Sequence, residues 1–275
     1  MKILISGHTG QVARELQLAL REHELISLGR QDFDLSRPQS LRETIMRQRP
    51  ALVINAAAYT AVDQAEQERE LAFAINAEAP GAMADACFEL DIPLIHYSTD
   101  YVFDGSKATP YREADTPRPL GVYGASKVAG EQALRISGCD HLILRTSWVY
   151  SQHGRNFLLT MLRLLQEREE LSVVDDQIGA PTWAGSIASA TAEMIDKWQQ
   201  GRHRWGTFHL TCQGETSWFG FASAIAEHLR TAGKPCARLR PIPSSEYPTP
   251  AQRPLNSRLD GARLEEEWQI RLPDW

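Results

Sequence analysis

The sequence predicts an α/β protein with a Rossmann-type, doubly wound parallel sheet and a smaller C-terminal substrate-binding lobe. Three observations predict this class. Short apolar segments alternate with longer amphipathic ones through the first half, a glycine-rich turn joins the first pair, and prolines accumulate towards the C-terminus. Because strand–helix repetition implies right-handed crossovers, helices should cover both faces of the sheet.

Five segments are predicted to be buried strands, because each is too short and too continuously apolar for a surface helix. They are Ile3–Ser6, Leu25–Leu28, Leu52–Asn55, Leu94–Ser98 and Leu142–Arg145. Helical patterns between them cover Val12–Glu22, Ala72–Leu90 and Gly121–Ile136. Pro80 is expected to divide the second of these helices.

The second half of the chain has a different character. Helices are predicted at Phe157–Glu167, Ala184–Trp198 and Trp218–Arg230, and extended segments at Ser172–Val174 and Thr207–Leu210. The prolines from Pro235 to Pro254 exclude a regular helix there. We therefore expect a dinucleotide-binding domain at residues 1–150, with a return segment near 184–212, and a mainly substrate-binding lobe at 151–275.

Composition excludes several classes of protein. The 275 residues are 43% hydrophobic, which suffices for a core, and a net charge of −6 argues against a nucleic-acid-binding surface. No apolar segment approaches the roughly 20 residues of a membrane span, and the first residues leave no room for a signal peptide. The four cysteines lack metal-type spacing. We expect a cytoplasmic protein with reduced thiols.

A glycine-rich turn follows the first predicted strand. Gly7 permits a tight turn, Gly10 lets the backbone approach a pyrophosphate, and Ala13 lets the next helix pack closely on the sheet. The helix N-terminus beginning at Gln11 and Val12 would receive the negative charge. An ordinary strand–helix turn has similar residues, so this motif alone does not decide the function.

Arg30 follows the second strand, where an NAD-selective enzyme would carry an acidic residue. A guanidinium there can pair with a 2′-phosphate, which favours NADPH and leaves NADH possible. Asp34 and Leu35 could contact adenine. The alternatives are a solvated Arg30 and a turn capped by Asp34 or Ser36.

Tyr123 and Lys127 give the most specific signal. They lie four residues apart on one predicted helix face, so we expect the ammonium to lower the pKa of the phenol and make it a general acid or base. Ser98, Thr99 and Asp100 end the fourth strand, at the edge where doubly wound sheets bind ligands. An amphipathic helix with a solvated lysine would not explain this combination.

The chain resembles the extended short-chain dehydrogenase/reductase superfamily and, within it, the dTDP-4-dehydrorhamnose reductase family. The matching segments are Gly7–Val12, Asn55–Asp63, Ser98–Phe103, Tyr123–Lys127, Arg145–Tyr150, Asn156–Phe157, Asp176–Thr182 and Arg253–Ser257. The segments most specific to the reductases are Ser98–Phe103 and Asp176–Thr182. The others are shared with sugar-nucleotide epimerases and dehydratases.

The resemblance implies reduction of the C4 ketone of dTDP-4-dehydro-β-L-rhamnose by NADPH or NADH, the last step of dTDP-L-rhamnose biosynthesis. It implies that Tyr123 donates a proton, that Lys127 holds the nicotinamide ribose and that Thr99 orients the ketone. The implied cofactor contacts are Gly7, Gly10, Gln11, Val12, Arg30, Asp34, Leu35, Ala56, Ala58, Tyr59, Thr60, Tyr97, Tyr123 and Lys127. The implied substrate contacts are Thr99, Asp100, Trp148, Asn156, Gln177 and Arg253.

Two of these substrate contacts have other interpretations. Trp148 offers a flat apolar face to a deoxysugar, or is a core tryptophan. Arg253 suits a diphosphate because a guanidinium binds it bidentately, or is a surface arginine.

The chain also departs from relatives that dimerise around a divalent cation held by glutamates. Glu15 is present, but the later positions correspond to Gly185 and Ala262, which cannot bind a metal. We therefore expect no metal and a monomer or weak homodimer.

Two rival functions remain open. An epimerase would use the same Tyr123–Lys127 pair but would retain its NAD, whereas a dehydratase usually has Asp-Glu after the strand-end threonine. Here Asp100 and Tyr101 follow Thr99, which disfavours dehydration. The second rival is a non-catalytic regulatory subunit of methionine adenosyltransferase, which the intact tyrosine and lysine disfavour.

Overall fold

The computed structural model describes residues 1–275. Strands β1 to β12 are Lys2–Ser6, Glu24–Leu28, Leu52–Asn55, Leu94–Thr99, His141–Thr146, Val149–Tyr150, Glu170–Val174, Ile178–Gly179, Thr182–Trp183, Gly206–His209, Thr216–Ser217 and Arg238–Ile242. Helices α1 to α10 are Gln11–Ala19, Pro38–Gln48, Val62–Ala65, Arg69–Phe73, Ala79–Leu90, Val122–Ser137, Phe157–Glu167, Ala184–Gln199, Trp218–Thr231 and Ala262–Trp268. None of these helices combines the length and apolar character needed to cross a bilayer.

The central sheet has six parallel strands in the order β10-β5-β4-β3-β1-β2. The five predicted strands form it together with β10, which overlaps the extended segment predicted at Thr207–Leu210. This order is that of a doubly wound sheet, so the predicted fold class is confirmed. Ligands bind such sheets beyond the carboxyl ends of the strands.

Alternating strand residues build two cores, one on each face of the sheet. Leu4, Val53 and Ile143 face a cluster that includes residues of α2, α5 and α6. Ile5 and Leu144 belong to the opposite cluster, which takes in α1, α8 and α10. Both faces are therefore covered, as the near-continuous apolar character of the strands predicted.

A third cluster lies away from the sheet, in the smaller lobe. Helices α7 and α9 pack there against the two-stranded parallel pair β7–β12, and Leu165, Val173 and Phe221 are among its buried residues. The C-terminal segment from Leu264 to Leu272 instead packs into the core of the central sheet. The chain thus returns to the central sheet at its C-terminal end, in addition to the return segment expected near 184–212.

The predicted helix break near Pro80 takes the form of a π-helical turn at Ala74–Glu78, with Pro80 in the first turn of α5. Helix α6 crosses this turn closely, because a Cβ at Gly130 would lie only 2.1 Å from the carbonyl oxygen of Asn76. The absent side chain at Gly130 lets α6 approach, and α6 carries Tyr123 and Lys127 to the edge of the sheet.

Candidate active site

The glycine turn has the backbone that the sequence predicts. Gly7 has a φ of +96°, and a Cβ there would lie 3.2 Å from both the Ala56 carbonyl oxygen and the Ala57 Cβ. Gly10 caps α1 with extended backbone and no side-chain hydrogen bond. The first amides of α1 therefore have no side-chain partner, which is the arrangement that accepts a phosphate.

Gln11 connects this turn to the smaller lobe. Its Oε1 accepts hydrogen bonds from Asn156 Nδ2 at 2.7 Å and from Ser151 Oγ at 3.1 Å. Asn156 also donates to two carbonyl oxygens and caps α7 by accepting from Leu159 N at 3.0 Å. All polar atoms of Asn156 have protein partners, so donation from its amide to the substrate requires one of these bonds to break.

The segment after β2 places Arg30 at the surface, with 80% of its side chain exposed and its Nε 3.9 Å from Asp34 Oδ1. Asp34 accepts hydrogen bonds from the backbone and hydroxyl of Ser36, and the hydroxyl bond lowers the pKa of this carboxyl. A turn closed by Asp34 is thus present, but the expected cap is wrong, because the N-cap of α2 is Arg37 and has no side-chain hydrogen bond. Leu35 is 8% exposed and belongs to the core with Phe33, so only an edge of it is available to adenine.

Thr99 and Tyr123 come together where β4 ends and α6 begins. Thr99 Oγ1 donates to Asp100 Oδ1 at 2.9 Å and accepts from Tyr101 N at 3.2 Å. Burial raises the pKa of Tyr123 to about 12, and a hydrogen bond with Thr99 acts in the opposite direction. The Tyr123 ring meets Tyr101 edge-on at a centroid distance of 5.5 Å.

Lys127 is 2% exposed and turns towards the sheet. Its Nζ donates to the Tyr97 carbonyl oxygen at 2.7 Å and lies 3.1 Å from His96 Nε2. Burial lowers the pKa of Lys127 to about 8, against the attraction of Glu131. The prediction that this ammonium lowers the pKa of Tyr123 is wrong for this structure, because burial dominates at the phenol.

Asp100 is a buried carboxylate beside the tyrosine. It is 3% exposed, its Oδ2 has no hydrogen-bond partner, and burial raises its pKa to about 6 although hydrogen bonds from Ser257 and Thr99 oppose this. A buried acceptor without a partner costs free energy. Asp100 Oδ2 is therefore suited to accept a hydrogen bond from a hydroxyl group of a ligand.

Trp148 has left-handed, strained backbone, with a φ of +49°. Its ring stacks on Trp218 with centroids 3.5 Å apart and planes 9° apart. A Cβ at Gly179 would lie 2.5 Å from Trp148 Cε2, so a glycine is needed there. Since Trp218 covers one face of the indole, a sugar can reach only the remaining surface of the ring. Gln177 accepts from Trp218 Nε1 at 3.2 Å and donates to Ser244 Oγ at 2.8 Å.

Arg253 is not an ordinary surface arginine, because only 19% of its side chain is exposed. Its Nη2 donates to Asp63 Oδ2 at 2.7 Å, and its guanidinium lies 5.9 Å from the centroid of the Tyr101 ring. Nη1 is buried without a partner. Helix α3 and the proline-rich segment therefore meet beside Tyr101.

The remaining expected cofactor contacts follow β3 and β4. Tyr59 donates its hydroxyl proton to Glu68 at 2.8 Å, and its backbone N–H donates to Asn76 Oδ1 at 2.9 Å. Ala58 and Thr60 are exposed, and Ala56 is partly buried beside Gly7. The Tyr97 hydroxyl is 2.8 Å from Thr191 Oγ1, so this side chain is held against α8.

Four residues that the sequence reading missed support this site. Asn55 and His96 lie behind Lys127, Asn76 fixes the loop at Tyr59, and Trp218 supports Trp148. A polar residue at the end of an apolar strand was a usable signal for Asn55, and a polar residue inside an apolar strand was one for His96. No comparable local signal marks Asn76 or Trp218.

Comparisons with known proteins identify the family of the chain. The family model described as "RmlD substrate binding domain" matches residues 1–275. A dTDP-4-dehydrorhamnose reductase of Burkholderia thailandensis is 46% identical over 284 residues, with 100% of this chain and 95% of the relative covered. The chain belongs to the dTDP-4-dehydrorhamnose reductase family.

Two further members support the assignment to this family. The reductase of Escherichia coli strain K12 is 46% identical over 282 residues, with 100% of this chain and 94% of the relative covered. A crystal structure of the family member from Bacillus anthracis in complex with NADP superposes with a TM-score of 0.90 at 36% identity. That similarity covers 100% of this chain and 95% of the other. The family resemblance read from the motifs is confirmed.

Proposed function

We infer that the protein reduces the C4 ketone of dTDP-4-dehydro-β-L-rhamnose to dTDP-β-L-rhamnose with NADPH. The observation that carries this inference is the pairing of Tyr123 with Thr99 at the end of β4, one helical turn before the buried Lys127, in a chain that matches reductases of this name along its full length. A phenol, a hydroxyl and an amine at the carboxyl edge of a doubly wound sheet suit proton transfer to a carbonyl oxygen.

The residues present fit a dinucleotide. The amides of the α1 N-terminus have no side-chain partner, and Gly7 keeps the turn against Ala56. We assign the pyrophosphate to Gly10, Gln11 and Val12, and the 2′-phosphate to Arg30, whose exposed guanidinium is free to rotate towards it. When bound, reduced nicotinamide supplies the hydride.

The protein's own residues then manage the proton and the orientation. Because the pKa of Tyr123 is about 12, the phenol holds its proton at neutral pH and can donate it to the oxygen of the forming alcohol. Thr99 orients that oxygen, and Lys127 holds the ribose. Asp100 offers an acceptor without a protein partner to a sugar hydroxyl.

We assign the nucleotide end of the substrate to Arg253 and to the residues of the smaller lobe. Arg253 has a buried Nη1 without a protein partner, which suits a diphosphate oxygen. Trp148 would contact the deoxysugar with the part of its ring that Trp218 leaves uncovered, and Gln177 and Asn156 would border the thymidine.

The decisive experiment incubates the purified protein with dTDP-4-dehydro-β-L-rhamnose and either NADPH or NADH. We expect stoichiometric loss of the reduced cofactor and formation of dTDP-β-L-rhamnose, identified by NMR. Conversion of the sugar without consumption of cofactor would indicate an epimerase. Co-purification with a methionine adenosyltransferase and no turnover would indicate a regulatory subunit.

We further propose that the enzyme works in the cytoplasm as a monomer or weak homodimer without a bridging metal. All four cysteines are free, and three of them are buried, which suits a reducing compartment. The positions matching the relatives' metal ligands are Gly185 and Ala262, which offer no ligand atom. Light scattering with and without a chelator tests the oligomeric state.

A further inference from the structure

A row of buried polar side chains crosses the sheet from the glycine turn to α6. Ser6, Asn55 and His96 are register partners on β1, β3 and β4. Ser6 Oγ donates to Asn55 Oδ1 at 2.6 Å, and Asn55 Nδ2 lies 3.0 Å from His96 Nδ1. His96 Nε2 lies 3.1 Å from Lys127 Nζ. Each of these four residues is at most 2% exposed, so their donors must find acceptors on the protein rather than in solvent.

Counting protons gives two consistent states of this row. A neutral imidazole has one N–H. If Asn55 donates to Nδ1, then His96 Nε2 carries the proton and donates to Lys127, which accepts it only as a neutral amine. If Lys127 is an ammonium, it donates to Nε2, and the proton on Nδ1 needs the amide oxygen of Asn55 as its acceptor. The hydrogen bonds of the two states run in opposite directions.

We propose that this row reverses direction when Lys127 gains or loses its proton, which makes His96 a positioning residue for the lysine. The inference rests on the proposed function, in which Lys127 holds the ribose. Reversal adds one proton from solvent, carried on Nζ. The ring stays neutral while its single proton changes from Nε2 to Nδ1, and the amide of Asn55 turns over.

The orientation of Asn55 in the structure corresponds to the neutral amine. Its Oδ1 faces two donors, Ser6 Oγ and the Ala57 N–H at 3.4 Å, so its NH₂ group faces His96. A second contact satisfies the amine, because Lys127 Nζ donates to the Tyr97 carbonyl oxygen at 2.7 Å. The direction of the row is therefore set at its Asn55 end, whereas the Tyr97 contact is available to Lys127 in both states.

The other charged groups near Lys127 are already paired or lie at the edge of the row. Glu131 on α6 is bound by Arg145 of β5 at 2.6 Å and by Arg135 at 2.8 Å. Tyr123 on α6 holds its proton at neutral pH, and the pKa of His141 at the start of β5 is lowered by burial.

The two titratable members of the row behave differently near neutral pH. Burial holds the pKa of His96 well below its usual range, whereas the pKa of Lys127 is about 8. Lys127 is therefore the member of the row that titrates near neutrality.

The test is an NMR titration of the free protein labelled with ¹⁵N-histidine and ¹³C-lysine. The chain has eight histidines and five lysines, and His96→Gln and Lys127→Arg assign the two resonances. We expect His96 to change from the Nδ1–H to the Nε2–H tautomer as pH rises, with the same midpoint as the Lys127 titration. A single tautomer across the lysine titration would overturn the proposal.

Asn55→Asp provides the complementary test, because a carboxylate can only accept. It should hold His96 as the Nδ1–H tautomer at every pH and raise the lysine midpoint by about one pH unit or more, roughly a tenfold change in proton affinity. If the Lys127 midpoint rose while His96 still changed tautomer with pH, the substitution would act through its charge alone, and the proposed reversal would be contradicted. Both readouts use the free protein, so they remain decisive even if the keto-sugar is not a substrate.

Discussion

The side-chain amide of Asn156 donates a 2.7 Å hydrogen bond to Gln11 Oε1, and this bond joins the glycine turn to the smaller lobe. Ser151, which is fully buried, donates to the same oxygen. The first residue of α1 is thus shared between the predicted dinucleotide site and the segment that leads into α7. A change at Gln11 should affect both.

Two substitutions of Gln11 should separate these effects. Gln11→Met removes the acceptor of two hydrogen bonds, so unfolding should become about 1–3 kcal/mol easier. Gln11→Glu keeps an acceptor but places a negative charge beside the expected pyrophosphate, so it should retain stability and bind NADPH at least about tenfold more weakly. Urea unfolding and fluorescence titration with NADPH measure the two quantities. Equal NADPH affinity in Gln11→Glu and the wild type would contradict the placement of the pyrophosphate.

The proton donor can be tested by removing one oxygen. Tyr123→Phe should lower kcat for keto-sugar reduction by about 10²–10⁴, because general acid catalysis is lost while the ring remains in place. NADPH affinity should change little. Thr99→Val, which removes the hydroxyl that pairs with Tyr123, should lower kcat by a smaller factor. A Tyr123→Phe protein with the wild-type rate would exclude the tyrosine as the donor.

Selectivity for NADPH should depend on Arg30. Replacing it by alanine removes a charge-assisted bond to the 2′-phosphate worth about 1.5–3 kcal/mol, so KM for NADPH should rise roughly 10- to 100-fold and KM for NADH should not. Arg37→Ala is a matched control, because both side chains are 80% exposed and lie 3.9 and 3.8 Å from Asp34. Equal effects of the two substitutions would show that Arg30 has no specific role.

The ionised carboxyl of Asp100 should lower the stability of the fold and should be needed for activity. Its pKa is raised from 3.8 to about 6 in the folded protein, so the fold favours the protonated form and loses stability as pH rises between these values. Asp100→Asn resembles the protonated form at every pH. It should therefore be about 1–3 kcal/mol more stable than the wild type at pH 8, with little difference at pH 4, and should reduce the keto-sugar poorly. Urea unfolding at the two pH values checks the sign.

Local patterns predicted the elements and the motifs, because strand length, helical periodicity and four-residue spacing are properties of neighbouring residues. Tyr123 and Thr99 could be placed together because Thr99 ends a strand and Tyr123 lies in the first turn of a helix. Both positions lie at the carboxyl edge of the predicted sheet. Leu35 and Asn156 show where such reasoning stops. Each has the residue type of a ligand contact, yet one packs in a core and the other caps a helix.

Properties that depend on distant partners could not be predicted from the sequence. The row from Ser6 through Asn55 to His96 exists only because β1, β3 and β4 are neighbours in this register. The pKa of Tyr123 depends on burial by several elements. The four-residue spacing from Lys127 therefore predicted a lowered pKa, whereas burial raises it. The stack of Trp148 on Trp218 joins two parts of the chain that share no motif.

That stack leads to the last prediction. Left-handed backbone at a tryptophan costs on the order of 1–3 kcal/mol, so its surroundings must hold it. Trp218 does so through a 3.5 Å stack and is itself fixed by a hydrogen bond to Gln177. Trp218→Leu should release Trp148 and raise KM for the keto-sugar about tenfold, while NADPH affinity stays at the wild-type value. Trp218→Phe keeps an aromatic face and should restore most of the affinity.

Gly179→Ala should displace the Trp148 ring as well, because Gly179 also contacts this ring. The added Cβ would overlap Trp148, so the ring must move and KM should rise as in Trp218→Leu. Near-ultraviolet circular dichroism reports directly on the paired tryptophans, and their signal should fall in both variants. Loss of this signal without any change in KM would show that Trp148 does not contact the sugar. In that case the stack of Trp148 on Trp218 serves only to hold the start of β6 against the start of α9.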